Sequence, residues 1–139
     1  MKKFLLITSW ILSGFIVQAQ DGKWKIKMNG KTLIYTGTED EKINTKKIKF
    51  TEWRKSGYLE INYLESDPSF WKHSILFVDE TDNQLFSKEN TTKVKIPLSK
   101  FRKLFAGKKE LRIYIIASPA NPDMAIRSRR IHLCTLKLP

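Results

Sequence analysis

Single-residue alternation of apolar and lysine side chains is the feature that most constrains the fold of this chain. Trp24, Ile26 and Met28 alternate with lysines, and the dipeptide Asn29-Gly30 follows directly. A period of two places successive side chains on opposite faces of a strand, and Asn-Gly tolerates the positive φ angles of a type I′ turn. The pattern therefore predicts a β-hairpin. Similar alternation predicts further half-buried antiparallel strands at residues 47–50, 59–63 and 93–96.

Two other segments, residues 74–78 and 111–116, are apolar at nearly every position. We expect them to be central strands, covered on both sides. A short helix is predicted between an N-cap at Ser99 and a stop at Gly107, and a similar single turn between residues 51 and 57. The sequence thus predicts an all-β fold, an antiparallel β-sandwich of about eight or nine short strands with one or two short helical turns.

An internal repeat relates the two halves of the chain. Residues 48–55 and 96–103 share an apolar strand end, a hydroxyl residue, an aromatic residue and an Arg-Lys pair in the same order. A glycine and a Leu-x-Ile strand follow in both halves, and each half then reaches a strand with a histidine. We interpret this order as a probable duplication. The alternative is that unrelated sandwich halves share the same turn chemistry. The apparent units are residues 23–71 and 72–139.

Residues 1–19 have the features of a secretory signal peptide. Lys2 and Lys3 precede an apolar run, and a small residue stands at the end of the segment. This run of 14 residues is shorter than the about 20 residues that span a membrane, so an uncleaved anchor is the lesser alternative. We expect residues 20–139 to form one exported domain, periplasmic or extracellular. In an oxidising compartment the single cysteine, Cys134, must be buried, bound or paired with another chain.

Positive charge is distributed unevenly along the chain. The net charge of the sequence is +12, residues 20–92 are neutral, and residues 93–139 carry 12 basic and two acidic residues. Such an excess attracts an anionic partner, and arginine can bind phosphate, sulfate or carboxylate through two parallel hydrogen bonds. We call the predicted binding residues the C-terminal cations: Lys100, Arg102, Lys103, Lys108, Lys109, Arg127, Arg129 and Arg130.

The expected partner of the C-terminal cations is an envelope polysaccharide, an anionic membrane surface or an acidic protein. The alternative is a solvated surface that only keeps an exported domain soluble. Nucleic acid is disfavoured, because export removes the protein from the cytoplasm and no single-strand-binding signature is present.

A metal-binding carrier of the copper type is the second functional hypothesis. His132 and Cys134 are two residues apart on a predicted strand, so their side chains should share a face. His73 lies on the strand matched to it, and Met124 lies in the preceding loop. These four residue types are the ligands of mononuclear copper centres. The ordinary interpretation is a buried thiol with partly buried histidines, and no cofactor is expected.

No motif for catalysis is present, so we expect a non-enzymatic protein. The sequence contains neither a nucleophile elbow nor a zinc-protease helix, a phosphate-binding glycine loop or a Cys-x-x-Cys pair. The loop ahead of the central strand at residues 74–78 offers Phe70 and Trp71 for recognition. These rings can stack on sugars or anchor a protein interface, and the alternative is that Trp71 caps the core.

Overall fold

In the computed structural model of the protein, residues 22–65, 70–123 and 126–139 are described, and they form nine strands and two short helices. The predicted signal peptide, residues 1–19, lies outside the described residues. The strands are β1 (Lys23–Met28), β2 (Lys31–Thr36), β3 (Thr45–Lys47), β4 (Tyr58–Leu64), β5 (Trp71–Val78), β6 (Gln84–Lys88), β7 (Lys93–Pro97), β8 (Glu110–Pro119) and β9 (Arg129–Lys137). The helices are α1 (Phe50–Trp53) and α2 (Leu98–Leu104).

The strands form two sheets, and the predicted all-β sandwich is confirmed. The four-stranded sheet has the order β2-β1-β4-β7, and the five-stranded sheet has the order β3-β9-β8-β5-β6. All pairs are antiparallel except β3 with β9. The two strands expected to be central lie inside the five-stranded sheet, because β8 pairs with β9 and β5, and β5 pairs with β8 and β6.

The predicted first hairpin is also confirmed. Asn29 and Gly30 both have positive φ angles, 53° and 79°, as a type I′ turn requires. The turn joins β1 to β2, and Ile26 lies opposite Ile34 in the register. The local sequence therefore determines which strands pair at this edge.

Both helices begin one residue earlier than the predicted hydroxyl caps, so the assignment of Ser99 as an N-cap is wrong. Pro97 occupies the N-cap position of α2, and no side chain caps either helix. Instead, the N–H of Leu98 donates to the carbonyl oxygen of Gly57 at 2.9 Å. This bond satisfies the N–H of the first helical residue, which has no partner within the helix. Gly107, with a φ of 77°, follows α2 as predicted.

The two halves of the chain share one topology. The hairpin β1–β2 is followed by β3 in the opposite sheet, then by α1 and by β4, which returns to pair with β1. The hairpin β5–β6 is likewise followed by β7 in the opposite sheet, then by α2 and by β8, which pairs with β5. Each half therefore contributes one strand to the other half's sheet, and β9 inserts between β8 and β3. Common origin of the halves stays a prediction, as do the domain bounds.

A single apolar core fills the space between the sheets. The four-stranded sheet contributes Trp24 and Ile61, and the five-stranded sheet contributes Phe77 and Leu133. The indole N–H of Trp24 donates to the carbonyl oxygen of Leu133 at 2.9 Å, which connects the sheets directly. Phe101 of α2 packs 4.9 Å from the ring of Phe77, so this helix covers one side of the core.

Candidate anion-binding site

Five lysines cover the outer surface of the four-stranded sheet. In β1 and β7, inward apolar residues alternate with outward lysines, and β4 lies between these strands. Residues directly opposite one another in neighbouring strands lie on the same face. We call this surface the lysine face and define it by Lys23, Lys25, Lys27, Lys93 and Lys95.

The register aligns these lysines in rows across the sheet. Asn62 of β4 pairs with Lys25 on one side and with Lys93 on the other. In the next row, Glu60 pairs with Lys27 and with Lys95. Because neighbouring strands are about 4.8 Å apart, the lysines of β1 and β7 form two columns about 10 Å apart.

A shallow groove lies between the two columns, with side chains of β4 as its floor. Its volume is about 470 Å³, and Asn62 and Glu60 line it together with lysines from both columns. Glu60 also lines a second concavity of about 370 Å³, which extends to Tyr58 and the turn at Asn29. The two concavities together follow β4 over most of its length.

Positive charge on the lysine face is only weakly compensated. Glu60 is the only acidic residue in β1, β4 and β7, and its carboxylate lies 3.7 Å from the ammonium of Lys95. The ammonium groups of Lys25 and Lys95 lie 5.6 and 4.7 Å from the ring centres of Tyr35 and Tyr58. Within the described part of the chain, the other three lysines form no ion pair. A surface with this imbalance attracts anions.

The helix-borne members of the C-terminal cations contact the protein itself. Arg102 donates to the carbonyl oxygens of Trp53 at 2.8 Å and Lys55 at 3.1 Å, and so connects α2 to the end of α1. The ammonium of Lys100 lies 4.0 Å from the ring centre of Phe86. These two side chains are used in packing and hydrogen bonding.

Two further C-terminal cations pair with carboxylates of the turn between β5 and β6. The ammonium of Lys108 lies 2.9 Å from the buried carboxylate of Asp79, and this contact holds the pKa of Asp79 well below its usual range. Arg130 contacts Asp82 through two guanidinium nitrogens and also stacks 3.8 Å above the ring centre of Tyr114. The turn is thereby connected to the strands beside it.

Of the remaining C-terminal cations, one contacts a carboxylate and three are exposed. A guanidinium nitrogen of Arg129 lies 3.8 Å from the carboxylate of Glu39. Lys103, Lys109 and Arg127 are exposed. Several of the eight residues are therefore held by contacts within the protein, to partners from different loops and strands.

The candidate metal ligands are not brought together. Tyr114 pairs with His132 whereas Ile113 pairs with Cys134, since a bulge adds one residue to β9. Consecutive residues of a strand point to opposite faces, so His132 and Cys134 do so too, and the expectation of a shared face is wrong. His73 lies on β5, with its Nε2 atom 2.9 Å from a carboxylate oxygen of Glu65.

No group of three histidine, cysteine or acidic side chains suitable for a metal ion occurs in the described residues. Met124 lies outside them. His132 contacts the hydroxyl of Thr135 at 2.7 Å. The two histidine strands are not equivalent, because β5 lies in the sheet opposite to β4 whereas β9 pairs with β8 in the same sheet. Cys134 is a buried free thiol, and this burial raises its pKa far above the usual range. A disulfide to another chain would require this part of the sandwich to open.

The aromatic pair predicted for recognition lies beside one end of the lysine face. Phe70 and Trp71 contact each other edge to face, with ring centres 5.1 Å apart, and both are half-buried. Trp71 lines a concavity of about 420 Å³ together with Thr91 and Lys93. Since Lys93 also lines the groove of the lysine face, the two concavities adjoin. The preceding residues 66–69 lie outside the described residues.

Sequence reasoning identified the outward lysines but missed their assembly into one surface. The alternation in β1 and β7 was visible, whereas the position of β4 between two strands nearly 70 residues apart was not. The sequence signal that could have indicated this surface was the alternation of lysines with apolar residues in both β1 and β7. Together with β4, these strands contain one acidic residue.

In the described part of the chain, no helix has the length and apolar character that crossing a membrane requires. Comparison of the chain with protein-family models, curated proteins and solved structures finds no match.

Proposed function

We propose that this protein is an exported, non-enzymatic binding module whose lysine face binds an anionic component of the cell envelope. The observation that carries the proposal is the ratio of four lysines to one carboxylate around a groove on one sheet face. The sequence of residues 1–19 supports export. Clustered cations raise the local concentration of an anionic ligand and its association rate.

The C-terminal cations are the competing location for the same function. Several of them already contact carboxylates, carbonyl oxygens or aromatic rings of the protein. An anionic ligand would have to compete with these contacts. The lysine face offers its charges with fewer internal competitors, so we favour it.

A matched pair of charge-reversal variants distinguishes the two locations. The variant Lys25→Glu/Lys93→Glu changes the lysine face, and Lys103→Glu/Arg127→Glu makes the same change in net charge among the exposed C-terminal cations. Binding to immobilised dextran sulfate is measured for the exported protein at increasing NaCl concentration. We expect the first variant to lose about tenfold or more in affinity, and the second to stay within about threefold of the wild type.

Salt dependence provides the second criterion. Binding through exposed ammonium groups should weaken steeply as salt increases. A larger loss in the Lys103→Glu/Arg127→Glu variant would move the site to the C-terminal cations. Wild-type binding that is absent or independent of salt would overturn the proposed function itself.

A further inference from the structure

We propose that the groove of the lysine face binds a linear acidic polysaccharide whose sugar rings carry carboxylates. The proposal rests on the proposed function and assigns the chemical class of its ligand. Four features of the groove support it: two columns of cations, a polar floor, an extended shape and aromatic rings near both ends.

The floor of the groove requires a ligand with hydrogen-bond donors as well as negative charge. Glu60 lies in the middle of the lysine face, and its carboxylate can only accept hydrogen bonds at neutral pH. The side-chain oxygen of Asn62 is buried and has no hydrogen-bond partner among the described residues. A polyphosphate chain offers no hydrogen-bond donor to these acceptors, whereas sugar hydroxyls can donate to both side chains.

The columns of lysines match the charges of such a ligand. Lys25 and Lys27 lie on one side of the floor, and Lys93 and Lys95 lie on the other. A chain lying along β4 would place its hydroxyls over the floor and its carboxylates toward the columns. Residues 58–62 of this strand extend for about 13 Å, which suits a short extended segment rather than a compact ligand.

Aromatic rings lie near both ends of this path. Tyr58 is 47% exposed and lines the concavity at one end, and Trp71 lines the concavity that adjoins Lys93 at the other. The apolar faces of sugar rings can pack against such side chains. The recognition loop predicted from the sequence would thus continue the same binding path.

An acidic peptide fits this groove less well. Peptides commonly add a strand to the edge of a sheet, where backbone donors and acceptors are unpaired. Here β4 is paired with β1 on one side and β7 on the other, so its backbone offers no free edge. A peptide would have to bind through its side chains alone, and its carboxylates would meet Glu60.

The test compares three polyanions on the full chain: oligogalacturonate, polyglutamate and polyphosphate, adjusted to the same charge concentration. The variant Glu60→Met removes the floor carboxylate and keeps most of the side-chain volume. We expect it to weaken oligogalacturonate binding about fivefold, because hydroxyl acceptors are lost, and to strengthen polyphosphate binding about two- to fivefold, because a repulsive charge is removed.

Asn62→Leu is the second variant, and it changes no charge. It should weaken oligogalacturonate binding and leave polyphosphate binding within about twofold. Thermal unfolding of each variant checks that the fold is retained. Opposite effects of Glu60→Met on the two ligands would support the sugar assignment.

Two outcomes would overturn the assignment while leaving the proposed function intact. One is that Glu60→Met strengthens the binding of all three polyanions equally, which would show that Glu60 acts only as a repulsive charge. The other is tighter binding of polyglutamate than of oligogalacturonate, which would indicate an acidic protein partner. Failure of the wild type to bind any of the three polyanions would instead overturn the proposed function.

Discussion

The lysine face and the C-terminal cations are both rich in basic residues, yet they differ in what surrounds each charge. The lysines belong to the paired strands β1 and β7, where alternation directs every second side chain away from the core. Lys108, Arg129 and Arg130 lie at strand ends and loops, within reach of Asp79, Glu39 and Asp82. The lysine face therefore retains most of its charge for a ligand, whereas much of the second set stabilises the fold.

Ion pairs between the two portions of the chain reduce the charge asymmetry seen in the sequence. The acidic partners of these three C-terminal cations all belong to the neutral portion, residues 20–92. Strand pairing brings that portion against the basic one. The net charge of each segment is therefore a poor guide to the charges that a partner would meet, because ion pairs between the segments neutralise some of them.

The largest effect that sharpens this comparison is expected at Asp79. Its buried carboxylate accepts hydrogen bonds from the main-chain N–H groups of Thr81 and Asn83 at 2.9 Å and contacts the ammonium of Lys108. Asp79→Ala removes all of these acceptors, so we expect the Tm to fall by roughly 5–10 °C. Thermal unfolding followed by circular dichroism measures the change.

Asp82→Ala is the matched control for Asp79, because it removes a carboxylate from the same turn. Asp82 is exposed, so its loss should lower the Tm much less. Equal decreases in Tm for the two variants would show that burial does not make Asp79 more important for stability than Asp82. Neither variant should weaken dextran sulfate binding, since both leave the lysine face unchanged.

Local signals in the sequence were sufficient for most strands and for the first hairpin. The antiparallel strand expected at residues 47–50 was wrong, because β3 ends at Lys47 and pairs in parallel with β9. Asn29 and Gly30 determine a turn through their own backbone preferences, and the alternation around them determines which side chains enter the core. The bulge in β9 was not visible in the sequence. It consists of one extra residue between the partner of Tyr114 and the partner of Ile113, and no local sequence pattern indicates it. That single residue places His132 and Cys134 on opposite faces, whereas the metal hypothesis expected a shared face.

The candidate site required information that a linear pattern does not contain. Lys25 and Lys93 lie on either side of Asn62 only because β4 returns between β1 and β7. The crossing of β7 into the sheet of the other half produces this arrangement. The repeat suggested that the halves were related, but it did not indicate that they exchange strands.

A smaller decrease in Tm is expected at acid pH, where stability should change and dextran sulfate binding should not. Burial lowers the pKa of His73 and of His132, so both bind protons less readily in the folded protein than in the unfolded chain. Unfolded histidines take up protons near pH 6.5, and stability should therefore fall as the pH decreases below that value. Between pH 7.5 and pH 5.5 we expect the Tm to fall by about 2 to 5 °C.

The buried carboxylate of Asp79 does not contribute in that interval. The pKa of Asp79 is lowered in the folded protein, so its contribution is present above the unfolded value near 4 and is lost only at lower pH. Dextran sulfate binding should stay constant from pH 7.5 to pH 5.5, because lysines stay charged. A His73→Gln/His132→Gln variant should show a flatter pH dependence of Tm, and an unchanged slope would contradict the assignment to histidine.

The smallest expected change in dextran sulfate affinity comes from removing one charge from each region. Lys93→Gln removes an exposed ammonium from the lysine face, and we expect dextran sulfate affinity to fall about two- to fivefold. Arg130→Gln removes a guanidinium that already contacts Asp82 and packs on Tyr114, so affinity should stay within about twofold of the wild type. The slope of affinity against salt concentration should decrease only for Lys93→Gln, because only that charge is available to the ligand. Equal losses in the two variants would mean that the contact with Asp82 leaves Arg130 free to bind, and the distinction between the two regions would then fail.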